Sequence, residues 1–223
     1  MMRLKHVVTG WARGGLGYVT TLLESSGLEV GTTFGPDTGP ENLEERMRAA
    51  KPVEVSPYLV PFLGVDYLKD KDVTFVLRDP MRILNSLYFH GLFHGERSSG
   101  VSTAAIRYLR GFEDDYKGRP GQAACAYLRA WLRLAKKNHS GLKCVRVEEG
   151  PAELRKHFGL PPSDRYVEPY TNASYCKQNV LPSGLLPQPR ESMVNLLIDL
   201  GYREGYWAPR GGHAHYVNPD WHC

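Results

Sequence analysis

Val7-Val8-Thr9-Gly10-Trp11-Ala12-Arg13-Gly14-Gly15-Leu16-Gly17-Tyr18, near the start of the chain, is the stretch that decides the fold. Its apolar, β-branched beginning predicts a buried strand over residues 5–9, and the apolar stripe beyond it predicts a helix over 18–26. Between them lies a glycine-rich turn, residues 10–17, called the glycine loop below. A strand that runs through such a turn into a helix aims backbone N–H groups at an anion, so we expect this loop to bind a phosphate or sulfate.

A second stretch, Val76-Leu77-Arg78-Asp79-Pro80 followed by Ser86, has a similar design. Residues 73–77 predict a central parallel strand, and the proline opens a predicted helix over 80–92 that carries Ser86. Arg78 and Ser86 are eight residues apart. Both can therefore reach one anion at the carboxyl edge of the sheet. The alternatives are that Arg78 pairs with the neighbouring carboxylate and that Ser86 is a surface hydroxyl.

The rest of the chain alternates predicted strands with predicted helices. Further strands are expected over 28–30, 52–56 and 142–147. Further helices are expected over 41–50, 57–68, 103–112, 122–138, 151–158 and 190–200. This alternation predicts an α/β fold with a central, mostly parallel sheet flanked by helices on both faces. A length of 223 residues, 42% of them hydrophobic, suits a single domain over 1–223, with an extended tail over 205–223.

Together, the two stretches resemble the nucleotide-binding motifs of the sulfotransferases. In that family a Lys/Arg-Ser-Gly-Thr-Thr/Ser-Trp/Tyr loop follows the first strand, and here Arg13-Gly14-Gly15-Leu16-Gly17-Tyr18 stands in its place. The family's Arg-Asn/Asp-Pro run, with a serine eight residues after the arginine, is reproduced by Arg78-Asp79-Pro80 and Ser86. The chain departs from the family at Leu16 and Gly17, which replace the two hydroxyl residues of the loop.

The resemblance implies a P-loop-like sulfotransferase architecture and a specific reaction. A sulfuryl group would move from 3'-phosphoadenosine 5'-phosphosulfate (PAPS) to a hydroxyl or amine of a small molecule, glycan or lipid, without a metal. Arg13 and the N–H groups of residues 14–17 would hold the 5'-phosphosulfate, and Arg13 would stabilise the leaving group. Tyr18 would stack on the adenine, while Arg78 and Ser86 would grip the 3'-phosphate.

The catalytic base is harder to place. Many bacterial relatives carry a His-Glu pair after the first helix, where this chain reads Gly31-Thr32-Thr33-Phe34. Glu54 is the predicted base because Glu54-Val55-Ser56-Pro57 resembles an acceptor-side segment of bacterial members. The other interpretation is that Glu54 and Ser56 cap the helix that begins just after them. Three further residues are reserve candidates for the base: Asp37, Glu41 and His90.

Bulk properties restrict the partners. The formal net charge of +4 comes from mixed acids and bases, which favours a small anionic ligand over nucleic acid. No window approaches eighteen apolar residues, and the four cysteines are widely spaced. We therefore expect a cytoplasmic protein that has no membrane span. His213, His215, His222 and Cys223 lack the spacing of a metal site.

Two other functions stay open. A protein that binds PAPS or its product but has lost turnover would keep Arg78 and Ser86 and lack a working base. A P-loop phosphotransferase is the other, because Gly10 and Gly15 have the Gly-x-x-x-x-Gly spacing. That second reading is disfavoured, since Leu16 and Gly17 stand where such a loop needs Lys and Ser/Thr for phosphate and magnesium.

Overall fold

A five-stranded parallel sheet forms the centre of the computed structural model, which describes residues 4–93 and 99–163. The strands are β1 (His6–Gly10), β2 (Val30–Gly31), β3 (Val53–Val55), β4 (Asp72–Leu77) and β5 (Lys143–Arg146). They lie in the order β2-β3-β1-β4-β5, and every neighbouring pair is parallel. The five predicted strands and the parallel sheet are thus confirmed.

Helices cover both faces of this sheet, as predicted. They are α1 (Leu16–Ser25), α2 (Leu43–Ala49), α3 (Pro80–Phe89), α4 (Gly100–Tyr108), α5 (Phe112–Tyr116), α6 (Pro120–Asn138) and α7 (Gly150–His157). On one face, α1 and α7 bury an apolar cluster with alternate side chains of the strands, Val8 and Val76 among them. On the other face, α2 to α6 pack into a larger cluster around Val7, Trp11 and Phe75. Burial of these apolar side chains is the main stabilising contribution to such a layered fold.

The strand order places a crevice at the carboxyl end of β1. This strand lies between β3 and β4, and Gly10 at its end is opposite Val76 of β4. The chain leaves β1 toward the β2 edge, whereas it leaves the neighbouring strand β4 toward the β5 edge. Open α/β sheets bind their ligands where neighbouring connections diverge in this way. The glycine loop and Arg78 both lie at this edge.

The prediction of an α-helix over 57–68 is wrong. The structure has a 3₁₀ segment over Pro57–Phe62, followed by turns as far as Lys71. Pro61 lies inside that segment, and because proline has no N–H and its ring clashes with the preceding turn, an α-helix cannot continue through it. Ser56 caps the segment by accepting the Tyr58 N–H at 3.0 Å, which confirms the capping interpretation for this serine.

Several predictions fall outside the described residues. They are the helix over 190–200, the tail over 205–223 and the histidines at 213, 215 and 222. Among the helices that the structure describes, none has the length and apolar character needed to cross a membrane.

Candidate active site

The glycine loop has the backbone conformation of an anion-binding turn. Arg13 and Gly15 both take left-handed conformations, with φ of 65° and 91°. Gly15 is the N-cap of α1 and has no side chain to occupy the first-turn N–H groups of that helix, which have no intrahelical carbonyl partner. Left-handed residues in a turn can direct neighbouring N–H groups toward one side, which is the geometry expected of an anion site.

Two of the loop's glycines are required by space. A Cβ on Gly10 would lie 2.8 Å from the carbonyl oxygen of Val76, and one on Gly15 would lie 2.7 Å from Cγ2 of Val147. Gly10 therefore permits close approach of β1 and β4, while Gly15 permits close approach of the loop to the segment after β5. At Gly15 the left-handed φ adds a second reason, because other residues adopt that conformation with strain.

Two hydrogen bonds anchor the glycine loop to helix α6. The indole N–H of Trp11 donates to the carbonyl oxygen of Leu128 at 2.8 Å, and the N–H of Ala12 donates to the hydroxyl of Tyr127 at 3.2 Å. Trp11 and Tyr127 are almost completely buried. Within the loop, the N–H of Gly14 donates to the Trp11 carbonyl at 2.9 Å. The predicted phosphate donor at Gly14 is thus engaged internally, which leaves the N–H groups of residues 15–17 as the predicted donors.

The guanidinium of Arg13 joins the loop to helix α3. Its Nε donates to Oγ of Ser86 at 2.8 Å, and its Nη2 lies 2.7 Å from Nε2 of His90. Partial burial, and then the positive charge of Arg13, lower the pKa of His90 below the ordinary 6.5. The imidazole is therefore neutral around pH 7 and able to accept a proton.

Arg78 and its neighbours complete this edge of the sheet. Nη1 of Arg78 donates to the carbonyl oxygen of Arg13 at 3.1 Å, and the N–H of Asp79 donates to Oε1 of Glu148 at 2.7 Å. Asp79 is fully buried, and its carboxylate lies 3.8 Å from Nε of Arg82. The structure thus brings together three predicted ligands, Arg13, Arg78 and Ser86. With His90 they are called the arginine cluster below.

Glu54, the predicted base, lies in a different setting. Its carboxylate is fully buried and accepts three hydrogen bonds, from the N–H and hydroxyl of Thr33 at 2.9 and 2.8 Å and from the N–H of Lys51 at 2.8 Å. These bonds tie the chain after β2 to the start of β3. Glu54 as the acceptor of a proton from substrate stays a prediction, to which the structure adds a clear structural role.

The two reserve carboxylates already have guanidinium partners. Asp37 forms an ion pair with Arg46, and Glu41 pairs with Arg107 at 3.0 Å. Among the candidate bases that the sequence analysis weighed, His90 is the one that contacts Arg13 directly.

Tyr18 is buried, and the hydroxyls of two nearby threonines bond within their own helix. The Tyr18 ring is 9% exposed and packs in the smaller apolar cluster, so its stacking on adenine stays a prediction. The hydroxyls of Thr20 and Thr21 donate to the carbonyls of Leu16 and Gly17 at 3.0 and 3.1 Å, within their own helix.

Sequence reasoning missed two residues of this edge. Glu148 lies two residues beyond the end of β5, and an acidic residue close to the carboxyl end of a parallel strand is the signal that could have identified it. Tyr127 lies on the buried face of α6, where its helical spacing indicates only a core residue. Nothing in its spacing distinguishes a core tyrosine from one whose hydroxyl supports a loop.

No protein-family model matches the sequence, and no curated protein matches it either. Among solved structures, the chain is similar to the crystal structure of a sulfotransferase from Alicyclobacillus acidocaldarius, with 14% sequence identity and a TM-score of 0.50. The alignment covers 91% of this chain and 98% of that one. This likeness extends over nearly the whole of both chains and shows that the protein has a sulfotransferase-like α/β fold.

Proposed function

We propose that the protein is a sulfotransferase that transfers a sulfuryl group from PAPS to a hydroxyl or amine. The observation that carries this proposal is the arginine cluster, which sets two guanidinium groups and a serine hydroxyl around the glycine loop at the carboxyl edge of the sheet. Planar guanidinium groups suit phosphate and sulfate because they form charge-assisted, often paired, hydrogen bonds. The similar fold of a solved sulfotransferase supports the same reading.

The two ends of the donor would be held by different parts of the site. First-turn N–H groups of α1, with Arg13, would bind the 5'-phosphosulfate, since a helix N-terminus and a cation both favour negative charge. Arg78 and Ser86 would bind the 3'-phosphate and so distinguish PAPS from nucleotides that lack it.

In the transfer step, the bond between sulfur and the 5'-phosphate oxygen breaks, and its electron pair stays on that oxygen. A new bond forms between sulfur and the acceptor oxygen or nitrogen, whose proton passes to a base of the protein. Arg13 would lower the barrier because negative charge on the phosphate grows toward the transition state, where a fixed cation stabilises it most.

Calorimetry with the product 3'-phosphoadenosine 5'-phosphate (PAP) and with AMP tests this proposal. The 3'-phosphate is the difference between the two nucleotides, and contacts of its kind contribute about 1.5 to 3 kcal/mol, or roughly tenfold to a hundredfold in affinity. We expect PAP to bind more tightly than AMP by that factor. Equal affinity would refute the assignment, while a strict need for magnesium would point to phosphoryl transfer.

A further inference from the structure

The short segment after β5 contacts both ends of the proposed donor site. Val147 packs against the glycine loop, where its Cγ2 leaves no room for a Cβ on Gly15. The next residue, Glu148, accepts the N–H of Asp79 at 2.7 Å, directly beyond Arg78. The proposed function assigns the 5'-phosphosulfate to the loop and the 3'-phosphate to Arg78. This segment therefore links the two phosphate-binding parts of the site.

The Glu148 hydrogen bond begins where the strand ladder stops. Strands β4 and β5 pair as far as Leu77, which is opposite Arg146. Beyond that pair the chain leaves the two strands for α3 and α7, and the N–H of Asp79 donates to the Glu148 side chain instead of to a strand carbonyl. Arg78 lies between the last ladder pair and this side-chain bond. Its backbone is therefore held on both sides.

The same bond fixes the start of helix α3. The carbonyl oxygen of Asp79 accepts the N–H of Ile83 at 3.2 Å, so Asp79 is the residue from which the helix begins. A carboxylate beside a helix N-terminus is favourable because the helix dipole places positive charge there. The direction in which α3 leaves β4 therefore depends on Glu148, and α3 carries Ser86.

We propose, resting on the function proposed above, that Glu148 is a positioning residue of the donor site. Its hydrogen bond to the Asp79 N–H holds Arg78 and the start of α3 in the arrangement that grips the 3'-phosphate. Glu148 acts through Arg78 and Ser86 and not by contact with the nucleotide. Charge-assisted contacts to phosphate depend on distance and angle, so a small displacement of the guanidinium weakens them. The preference for PAP over AMP therefore depends on this bond.

Three substitutions separate the hydrogen bond of Glu148 from its charge. Glu148→Asp keeps the charge but ends one methylene group short of the N–H. Glu148→Gln removes the charge and keeps an oxygen at the same length, while Glu148→Ala removes both. Calorimetry of the full chain with PAP and with AMP is the readout. We expect Glu148→Asp and Glu148→Ala to reduce the preference for PAP by about tenfold, the scale of one such hydrogen bond, and Glu148→Gln to keep it.

A matched control and a kinetic readout distinguish positioning from a general loss of structure. Glu149→Asp is the control, because Glu149 is exposed and pairs with Arg146 at 3.5 Å, and it should keep the wild-type preference. Sulfate release from labelled PAPS is the kinetic readout. The 3'-phosphate does not change during the transfer, so Glu148→Asp should raise KM for PAPS and leave kcat nearly unchanged. A fall in kcat with KM unchanged would overturn the inference.

The calorimetric outcomes separate the two proposals. If the wild type binds PAP and AMP equally, the proposed function is refuted and this inference with it. If the wild type prefers PAP and Glu148→Asp keeps that preference, this inference is overturned while the proposed function stands. Loss of the preference in Glu148→Gln would assign the effect to the charge of Glu148 and would overturn the inference as well.

Discussion

Replacing Gly15 with alanine tests the architecture of the glycine loop. This glycine combines a left-handed φ of 91° with a neighbour that leaves no room for a side chain, Cγ2 of Val147 at 2.7 Å from a Cβ. Gly27 offers a matched control. It also has a left-handed φ, of 83°, but a Cβ there would meet nothing within 4 Å.

The two substitutions share one cost and differ in another. A left-handed alanine costs about 1 to 2 kcal/mol, of which about 0.4 to 1 kcal/mol is offset by a less flexible unfolded chain. Gly27→Ala should therefore lose about 1 kcal/mol of unfolding free energy. Gly15→Ala must in addition push Val147 aside, and forced overpacking of this kind typically costs about 1 to 3 kcal/mol more.

Urea unfolding of the full chain measures both values, with a constant m-value as the check that the free energy has changed rather than the unfolded state. Val147→Ala should relieve Gly15→Ala, giving a coupling of about 1 kcal/mol or more in a double-mutant cycle. PAP affinity should fall in Gly15→Ala and stay unchanged in Gly27→Ala. Equal destabilisation by the two substitutions, with no coupling to Val147, would refute the reasoning.

Three further predictions concern side chains. Arg13→Ala should lower turnover more than PAP affinity, because the charge that it faces grows in the transition state; unchanged turnover would make Arg13 a surface cation. Glu54→Gln should lose about 1 to 3 kcal/mol of stability in urea unfolding, since an amide cannot accept all three bonds; a hundredfold fall in turnover of the folded fraction would instead identify Glu54 as the base. Burial is the main cause that lowers the pKa values of His6 and His157 from the ordinary 6.5 in the folded protein. Because these histidines bind protons at higher pH in the unfolded chain than in the folded one, the unfolding free energy should decrease as the pH falls through 6.5 toward 5. A flat pH profile over that range would contradict the last prediction.

The fold could be predicted because its signals are local. Apolar runs bounded by polar turns, such as residues 73–77, predict strands. The alternation of these strands with amphipathic helices predicts a parallel sheet. The failure at 57–68 has a local cause as well, because Pro61 removes a backbone donor in the middle of the segment.

The contacts within the candidate active site were harder to predict from the sequence than the fold. Arg13 and Arg78 could be predicted because they follow strand ends at one edge of the sheet. Ser86 could be predicted because it lies eight residues beyond Arg78, as in the sulfotransferase motif that the chain resembles. The contact of Arg13 with Ser86 spans 73 residues and depends on side-chain torsions that no spacing encodes. For the same reason, the sequence placed Glu54 at the acceptor side without revealing that Thr33 and Lys51 already occupy its oxygens.

Leu16 and Gly17 replace the two hydroxyl residues of the sulfotransferase loop, and the contacts of the neighbouring residues show what this replacement means for anion binding. Family members set two hydroxyls against the 5' group, and the nearest threonines here bond to carbonyls of their own helix. Among the residues that the structure describes, anion binding at this end would therefore rest on backbone N–H groups and on Arg13. A site of this kind would depend strongly on the position of the Arg13 guanidinium.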